Sequence, residues 1–292
     1  GEKVFAAEKI SGFNHIQEYS EIQDDNSNEA EEILQQDGLL VDENGDIYFY
    51  ENGSIVREKW VSINDVRYYF KESGKAAVGS NKIDGKYYVF NEKGELYSFT
   101  KTTIVKLSKN KYCVGSSGHA VPGWHYIKGK VYYADKTGKC ATGKKVSYIA
   151  FSKNGYAKNT DQALTKMLAR EFIDKHCDKK MSKSEKFKTC FHYIMANTNF
   201  VGSWRPHKFE KKGWQYRAAV SMFQTDLVGS CYGIASAVAA VAKELGYKPY
   251  VISTTAGHCF VKIGSRYYDN MNGAVFAATS HTAYKSKEKF KF

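Results

Sequence analysis

The chain has 292 residues, is 42% hydrophobic and 25% charged, and carries a formal net charge of +12 at pH 7. That apolar share suffices for a packed core, and the length fits two ordinary domains. No apolar run approaches the roughly 20 residues that cross a bilayer, so a membrane-spanning helix is not expected. No signal peptide is legible, and the expectation is a mature secreted protein.

Charge is uneven along the chain: residues 1–37 net −8, residues 38–158 net +9 and residues 159–292 net +11. A basic body points to an anionic neighbour such as a cell-wall polymer, a membrane surface or nucleic acid. Nucleic acid ranks last, because no zinc finger, RNA-binding signature or groove-reading basic helix is present. The six cysteines, Cys113, Cys140, Cys177, Cys190, Cys231 and Cys259, contain no CxxC pair. Neither a zinc site nor a disulfide scaffold is therefore expected, no metal or other cofactor is inferred, and most of these thiols read as small buried hydrophobes.

Residues 1–37 form an acidic leader. Its stretch "EIQDDNSNEAEEILQQ" has no strand character, and it reads as a linker or a loosely docked arm. From 38 to 158 a repeat takes over. "WVSINDVRYYFKESGKAAVG" (60–79) and "WHYIKGKVYYADKTGKCATG" (124–143) align without gaps. Turn glycines fall at Gly53, Gly74, Gly94, Gly118, Gly138 and Gly155, and 13 of the 22 tyrosines lie in this region. The pattern predicts short β-hairpins that bury their aromatic faces only by stacking. The aromatics are then the core of a solenoid, or platforms between hairpins for a sugar or a choline cation. The platform candidates are Trp60, Tyr68, Tyr69, Tyr87, Tyr88, Trp124, Tyr132 and Tyr133.

This Trp–turn–Tyr-Tyr–turn–Gly pattern resembles the cell-wall-binding repeats, of choline- and glucan-binding type, of bacterial surface proteins. Pro122-Gly123-Trp124 carries the full Gly-Trp start, whereas Trp60 follows Lys59. The resemblance implies wall or glycan attachment without naming a ligand.

Residues 159–292 change to helical spacing. "NTDQALTKMLAREFIDKHC" offers Thr160 or Asp161 as N-cap, with Leu164, Met167, Leu168 and Phe172 on one face. In "SKSEKFKTCFHYIMAN", Ser182 and Glu185 form a capping box, and Phe187, Cys190, Phe191, Ile194 and Met195 an apolar stripe. His176 and His192 on these helices read as ordinary surface or core groups. "WRPHKFEKKGWQYR" (204–217) is one wall of a cleft or an exposed basic loop with buried Trp204 and Trp214.

"GSCYGIASAVAAVAKELG" (229–246) puts a thiol at the mouth of a small-residue helix capped by Ser230 and closed by Gly246. Unpaired N–H groups there favour a thiolate at Cys231 and, through the Cys231 amide, can receive an oxyanion. Downstream, "FVKIGSRYYDN" predicts a hairpin with Gly264-Ser265 as a two-residue type II′ loop. Pairing Ile263 with Arg266 sets Phe260 opposite Asp269 and makes His258 a diagonal neighbour of Asp269 on the same face, with Cys259 on the reverse. Cys231, His258 and Asp269 then fill the roles of nucleophile, base and orienter. Gln215 and Gln224 are considered as second oxyanion donors and read as surface groups.

"GSCYG", "KELGYKP", "GHCFVKI" and "RYYDN" together resemble the transglutaminase-like superfamily, a papain-related group. The resemblance implies an α+β fold with a cysteine-bearing helix on an antiparallel sheet. The expected protein is a secreted, wall-associated cysteine enzyme that opens peptide or glutamine-type amides through a thioester. Two alternatives stay open: a non-catalytic surface adhesin, and a peptidoglycan endopeptidase or amidase with a Cys-His-His set that uses His281.

Overall fold

In the computed structural model, residues 4–5, 37–202, 211–271, 273–281 and 285–292 are described. The chain divides into two compact units. One comprises residues 1–127, 132–144 and 153–156; the other comprises 128–131, 145–152 and 157–292.

The first unit is a succession of short strands: β1 (Val4–Phe5), β2 (Gly38–Val41), β3 (Ile47–Glu51), β4 (Ser54–Ile55), β5 (Lys59–Ile63), β6 (Val66–Phe70), β7 (Gly79–Ile83), β8 (Lys86–Phe90), β9 (Thr103–Leu107), β10 (Asn110–Val114), β11 (Gly123–Ile127) and β12 (Lys130–Ala134). Antiparallel hairpins pair β5 with β6, β7 with β8 and β9 with β10. Within the leader, read as a linker or loosely docked arm, Val4–Phe5 pairs in parallel with Ser62–Ile63. The stretch 21–36 lies outside the described residues.

Successive hairpins are stitched by backbone hydrogen bonds at each step, with a second one, from the Cys113 amide to Gly138 O at 2.7 Å, at the last of those that follow. The amides of Ala76, Leu96, Ala120 and Cys140 donate to the carbonyls of Ile47, Arg67, Tyr87 and Lys111 at 2.7–2.9 Å. Each of these donors stands two residues after a turn glycine. All six predicted turn glycines have positive φ, between 72° and 84°, where a side chain is strained. The stack also needs their smallness. A Cβ on Gly94 would lie 2.9 Å from Ala76 Cβ, one on Gly118 2.4 Å from Leu96 Cδ1, and one on Gly138 2.9 Å from Ala120 Cβ. Phe70, Val89, Phe90 and Val114 are fully buried between the steps.

The second unit opens with a two-stranded ribbon, β13 (Lys145–Val146) and β14 (Ile149–Ala150). Then follow α1 (Thr160–His176), α2 (Lys183–Asn197), β15 (Asn199–Phe200), α3 (Trp214–Gln224), β16 (Val228–Gly229), α4 (Cys231–Glu244), β17 (Pro249–Thr254), β18 (Cys259–Ile263), β19 (Arg266–Asp269), β20 (Val275–Ala278) and β21 (Ser286–Lys291). The last five form one antiparallel sheet in the order β20-β19-β18-β17-β21. Helix α4 packs on β17 and β18 and on the other three helices. Its small residues from Gly233 to Ala242 are all buried, as expected of a helix apolar all round. A mixed α/β protein with many short antiparallel hairpins in its N-terminal half is thus observed.

Several local expectations need correcting. The cap of α1 is Asn159, whose side chain accepts from the Gln162 amide at 3.0 Å, not Thr160 or Asp161. The buried face of α1 runs through Leu164, Ala169 and Ile173, leaving Met167, Leu168 and Phe172 half-buried. The capping box at Ser182 and Glu185 is present. So is the close of α4: Gly246 (φ 92°) sends its amide to Lys243 O, and Tyr247 sends its amide to Ala242 O, which satisfies the last carbonyls. Trp214 is buried at the start of α3 rather than in a loop; residues 204–210 lie outside the described residues.

Candidate active site

Cys231 is the first residue of α4, so its amide and those of Tyr232 and Gly233 precede the first helical bond, which runs from the Ile234 amide to Ser230 O at 3.0 Å. Ser230 takes the N-cap position with extended backbone, but its hydroxyl caps nothing and is buried without a hydrogen-bond partner. The entry to the helix is held by backbone instead. Val228–Gly229 pairs in parallel with Asn199–Phe200, and the Val201 amide donates to Gly229 O at 2.9 Å. Gly229 is packed hard against Met222, whose Sδ a Cβ would meet at 2.4 Å.

His258 stands one residue before β18. Its amide donates to Thr254 Oγ1 at 3.1 Å, and its carbonyl accepts from the Thr254 amide at 2.9 Å. The hairpin register is the predicted one: Ile263 pairs with Arg266 and Val261 with Tyr268. Gly264 has φ 57°, and Ser265 does not share that region, as a type II′ bend requires. His258 Nε2 meets Asp269 Oδ1 at 2.7 Å. The Cys231 thiol lies near enough to the ring for its hydrogen bonding and charge to help hold the imidazole up. With Nε2 taken by Asp269, the nitrogen left for the sulfur is Nδ1. Cys231, His258 and Asp269 are therefore brought together. Cys259, fully buried, points to the other side of its strand, and burial pushes its thiol well up.

Burial disfavours the charged imidazole of His258. The hydrogen bonds and charges of Asp269 and Cys231 outweigh it and raise the group from 6.5 to about 9. Burial likewise opposes ionisation of Asp269, and the two imidazoles and the Met271 amide more than compensate, so the carboxyl stays below its usual 3.8. The second imidazole is His281. Its Nε2 meets Asp269 Oδ2 at 2.7 Å, and its ring stacks on Phe260 at 4.1 Å and 21°. His281 thus joins the same carboxylate as His258 rather than replacing it.

Neither glutamine serves as a second oxyanion donor. Gln224 is exposed, as expected. Gln215 is buried, contrary to expectation, and its amide donates to Lys291 O at 3.1 Å, fastening β21. A small cleft between Tyr148, Gln162, Lys166, Tyr216 and Lys243 lies elsewhere; Lys243 is twelve residues along α4 from the thiol, about 18 Å. Among the described residues no group of three His, Cys, Asp or Glu side chains could hold a metal ion.

The predicted aromatic platforms separate into two kinds. Tyr68 and Tyr132 are buried and belong to the core, which corrects their reading as platforms. Trp60, Tyr69, Tyr87, Tyr88, Trp124 and Tyr133 are half-buried. Trp60 packs edge-on with Tyr69 (5.3 Å) and Tyr88 (5.0 Å), and the Arg67 guanidinium lies over its ring at 4.3 Å. Trp124 packs against Tyr133 at 5.1 Å.

Residues 58–76 and 123–140 match the family described as putative cell wall binding repeat. The chain therefore carries repeats of the choline-binding, cell-wall type. No curated protein matches it. Among solved structures, choline binding protein F from Streptococcus pneumoniae is 22% identical, with a TM-score of 0.22, over 42% of this chain and 48% of that one. A multimodular pneumococcal cell wall endolysin from phage Cp-1, solved with choline, is 25% identical, with a TM-score of 0.33, over 47% of this chain and 40% of that one. An alternansucrase solved with isomaltotriose is 20% identical, with a TM-score of 0.31, over 44% of this chain and 11% of that one. The chain spans less than half the length of these structures.

Proposed function

We propose that this is a cell-wall-associated surface protein whose repeats attach it and whose second unit is a transglutaminase-like cysteine enzyme acting on peptide or glutamine-type amides. Attachment is supported by the two matched repeats and the half-buried aromatics between hairpins. The comparisons bear on attachment alone, and by themselves they fit a non-catalytic surface binding protein better than an enzyme. The catalytic half is supported by one observation: His258, held by Asp269 at 2.7 Å, is raised in part by the Cys231 thiol at the mouth of α4.

In this reading the Cys231 sulfur attacks the amide carbonyl, and the Cys231 amide supports the oxyanion. His258 gives its proton to the departing amine, leaving a thioester. Water, activated by the now neutral imidazole, or an incoming amine releases the acyl group and restores the thiol. Hydrolysis is the preferred outcome, since water is always present. Asp269 fixes the ring and supports its charge throughout.

The test is thiol reactivity followed by adduct trapping. Cys231 should alkylate with iodoacetamide near neutral pH at least roughly a hundredfold faster than Cys259. Incubation with peptidoglycan fragments and peptide libraries should leave an acyl mass on Cys231. Equal, slow labelling and no adduct would leave the surface binding protein as the function. For the Cys-His-His alternative, a loss on His281→Ala as deep as that on Asp269→Ala would be needed.

A further inference from the structure

Two thiols that the proposed chemistry does not use face each other in the second unit. Cys177 is the residue that ends α1, half-buried, and Cys190 lies on the buried face of α2. They are 13 positions apart, and their sulfurs are 3.5 Å from each other. Besides Cys190, Cys177 Sγ has a long contact of 3.6 Å to Lys186 O among the described residues. Cys177 leaves the helix with extended backbone (φ −124°, ψ 141°). Closing the remaining gap to a disulfide calls for a shift at Cys177, which stands outside the helical backbone of α1. Cysteine spacing alone does not reveal the pair, because it is the path of the segment joining α1 to α2 that brings the end of one helix against the middle of the next.

We infer that Cys177 and Cys190 form a thiol–disulfide exchange site that takes small-molecule disulfides and closes into an internal disulfide between α1 and α2. The more accessible sulfur, Cys177, attacks one sulfur of the small disulfide, forming a mixed disulfide and expelling the first thiolate. Cys190 then loses its proton and attacks the Cys177 sulfur, which expels the second thiolate. Two protein thiols are oxidised by two electrons, one small disulfide is reduced to two thiols, and the two protons pass to them. The order of attack follows burial: Cys190 is sealed, and burial, followed by the neighbouring Cys177 sulfur, pushes its thiol up, so it acts second, as the resolving group.

The inference is independent of the proposed activity, so it is tested in the Cys231→Ala full chain, where the mouth of α4 carries no thiol. The protein is incubated with oxidised glutathione, denatured, alkylated and peptide-mapped. The expected result is loss of two hydrogens in mass, one cross-link joining the Cys177 and Cys190 peptides, and Cys113, Cys140 and Cys259 fully alkylated. Closing this short loop should also raise Tm by roughly 5–10 °C. Cys177→Ser should keep the Tm of the reduced protein and lose the oxidation-dependent rise. Alkylation of both thiols after oxidation, a glutathione adduct that never resolves, or a cross-link to a different cysteine would overturn the site.

Discussion

Asp269 serves two rings with one carboxylate, and its side chain is 1% exposed. Oδ1 holds His258 and the Met271 amide, and Oδ2 holds His281. Replacing Asp269 by Ala strips both imidazoles, and the turnover of any amide substrate is expected to fall by about a thousandfold or more. His281→Ala leaves Oδ1 on His258 and should cost about tenfold, read as kcat/KM in the same assay. The pH dependence has a definite sign. His258 is raised to about 9 from 6.5, so its contribution to stability is complete below 6.5 and is lost as pH rises through about 9. The lowered Asp269 contributes above 3.8 and loses its contribution as pH falls below that value. Tm measured against pH should therefore decline on the alkaline side toward 9, and Asp269→Ala should flatten that limb. The His258–Asp269 contact was legible because a two-residue bend with glycine at its first position fixes every cross-strand pair behind it. The His281 contact was not legible: the β19–β20 pairing shifts register between Tyr267 and Asp269, and no turn in the sequence sets the path from there to position 281.

At the scale of elements, the repeat shows where sequence carries most. All six turn glycines could be read from their spacing, since each must adopt a conformation that other residues resist. The difference between them could not, because it depends on what the previous hairpin places underneath. A Cβ at Gly53 meets nothing within 4 Å, whereas one at Gly118 meets Leu96 Cδ1 at 2.4 Å and the Tyr97 carbonyl at 2.7 Å. Gly53→Ala should thus cost only the left-handed backbone strain, about 1–2 kcal/mol. Gly118→Ala should add about 1–3 kcal/mol of overpacking to that. Urea unfolding of the two variants side by side measures the gap; equal midpoints would mean that the steps do not press on each other. Alternation likewise predicts that only one of each Tyr-Tyr pair faces inward. It does not say which one, and Tyr68, opposite buried Val61, is the inward member while Tyr69, opposite Trp60, is the outward one. The cap of α1 moved to Asn159 for a similar reason: three adjacent polar residues all suit an N-cap, and only the path of the incoming chain selects among them.

For the whole molecule, attachment and the proposed chemistry reside in different residues, so they should separate cleanly. Cys231→Ala is expected to sediment with purified cell walls as the unaltered chain does, while losing iodoacetamide reactivity at neutral pH. With a formal charge of +12, part of that wall affinity is general attraction to anionic polymer and should weaken as salt is raised. The part owed to aromatic rings should not. If Trp60 is one of the proposed platforms, its face is covered from within, since the Arg67 guanidinium lies over the ring at 4.3 Å, where a quaternary ammonium would have to rest. Arg67→Ala removes both the covering group and a repelling positive charge. Retention on a choline matrix at high salt should then rise by about threefold or more, the range of one exposed cation–π contact. Unchanged retention would show that Trp60 takes no cation from outside, and that wall attachment runs through the remaining half-buried rings and the basic surface.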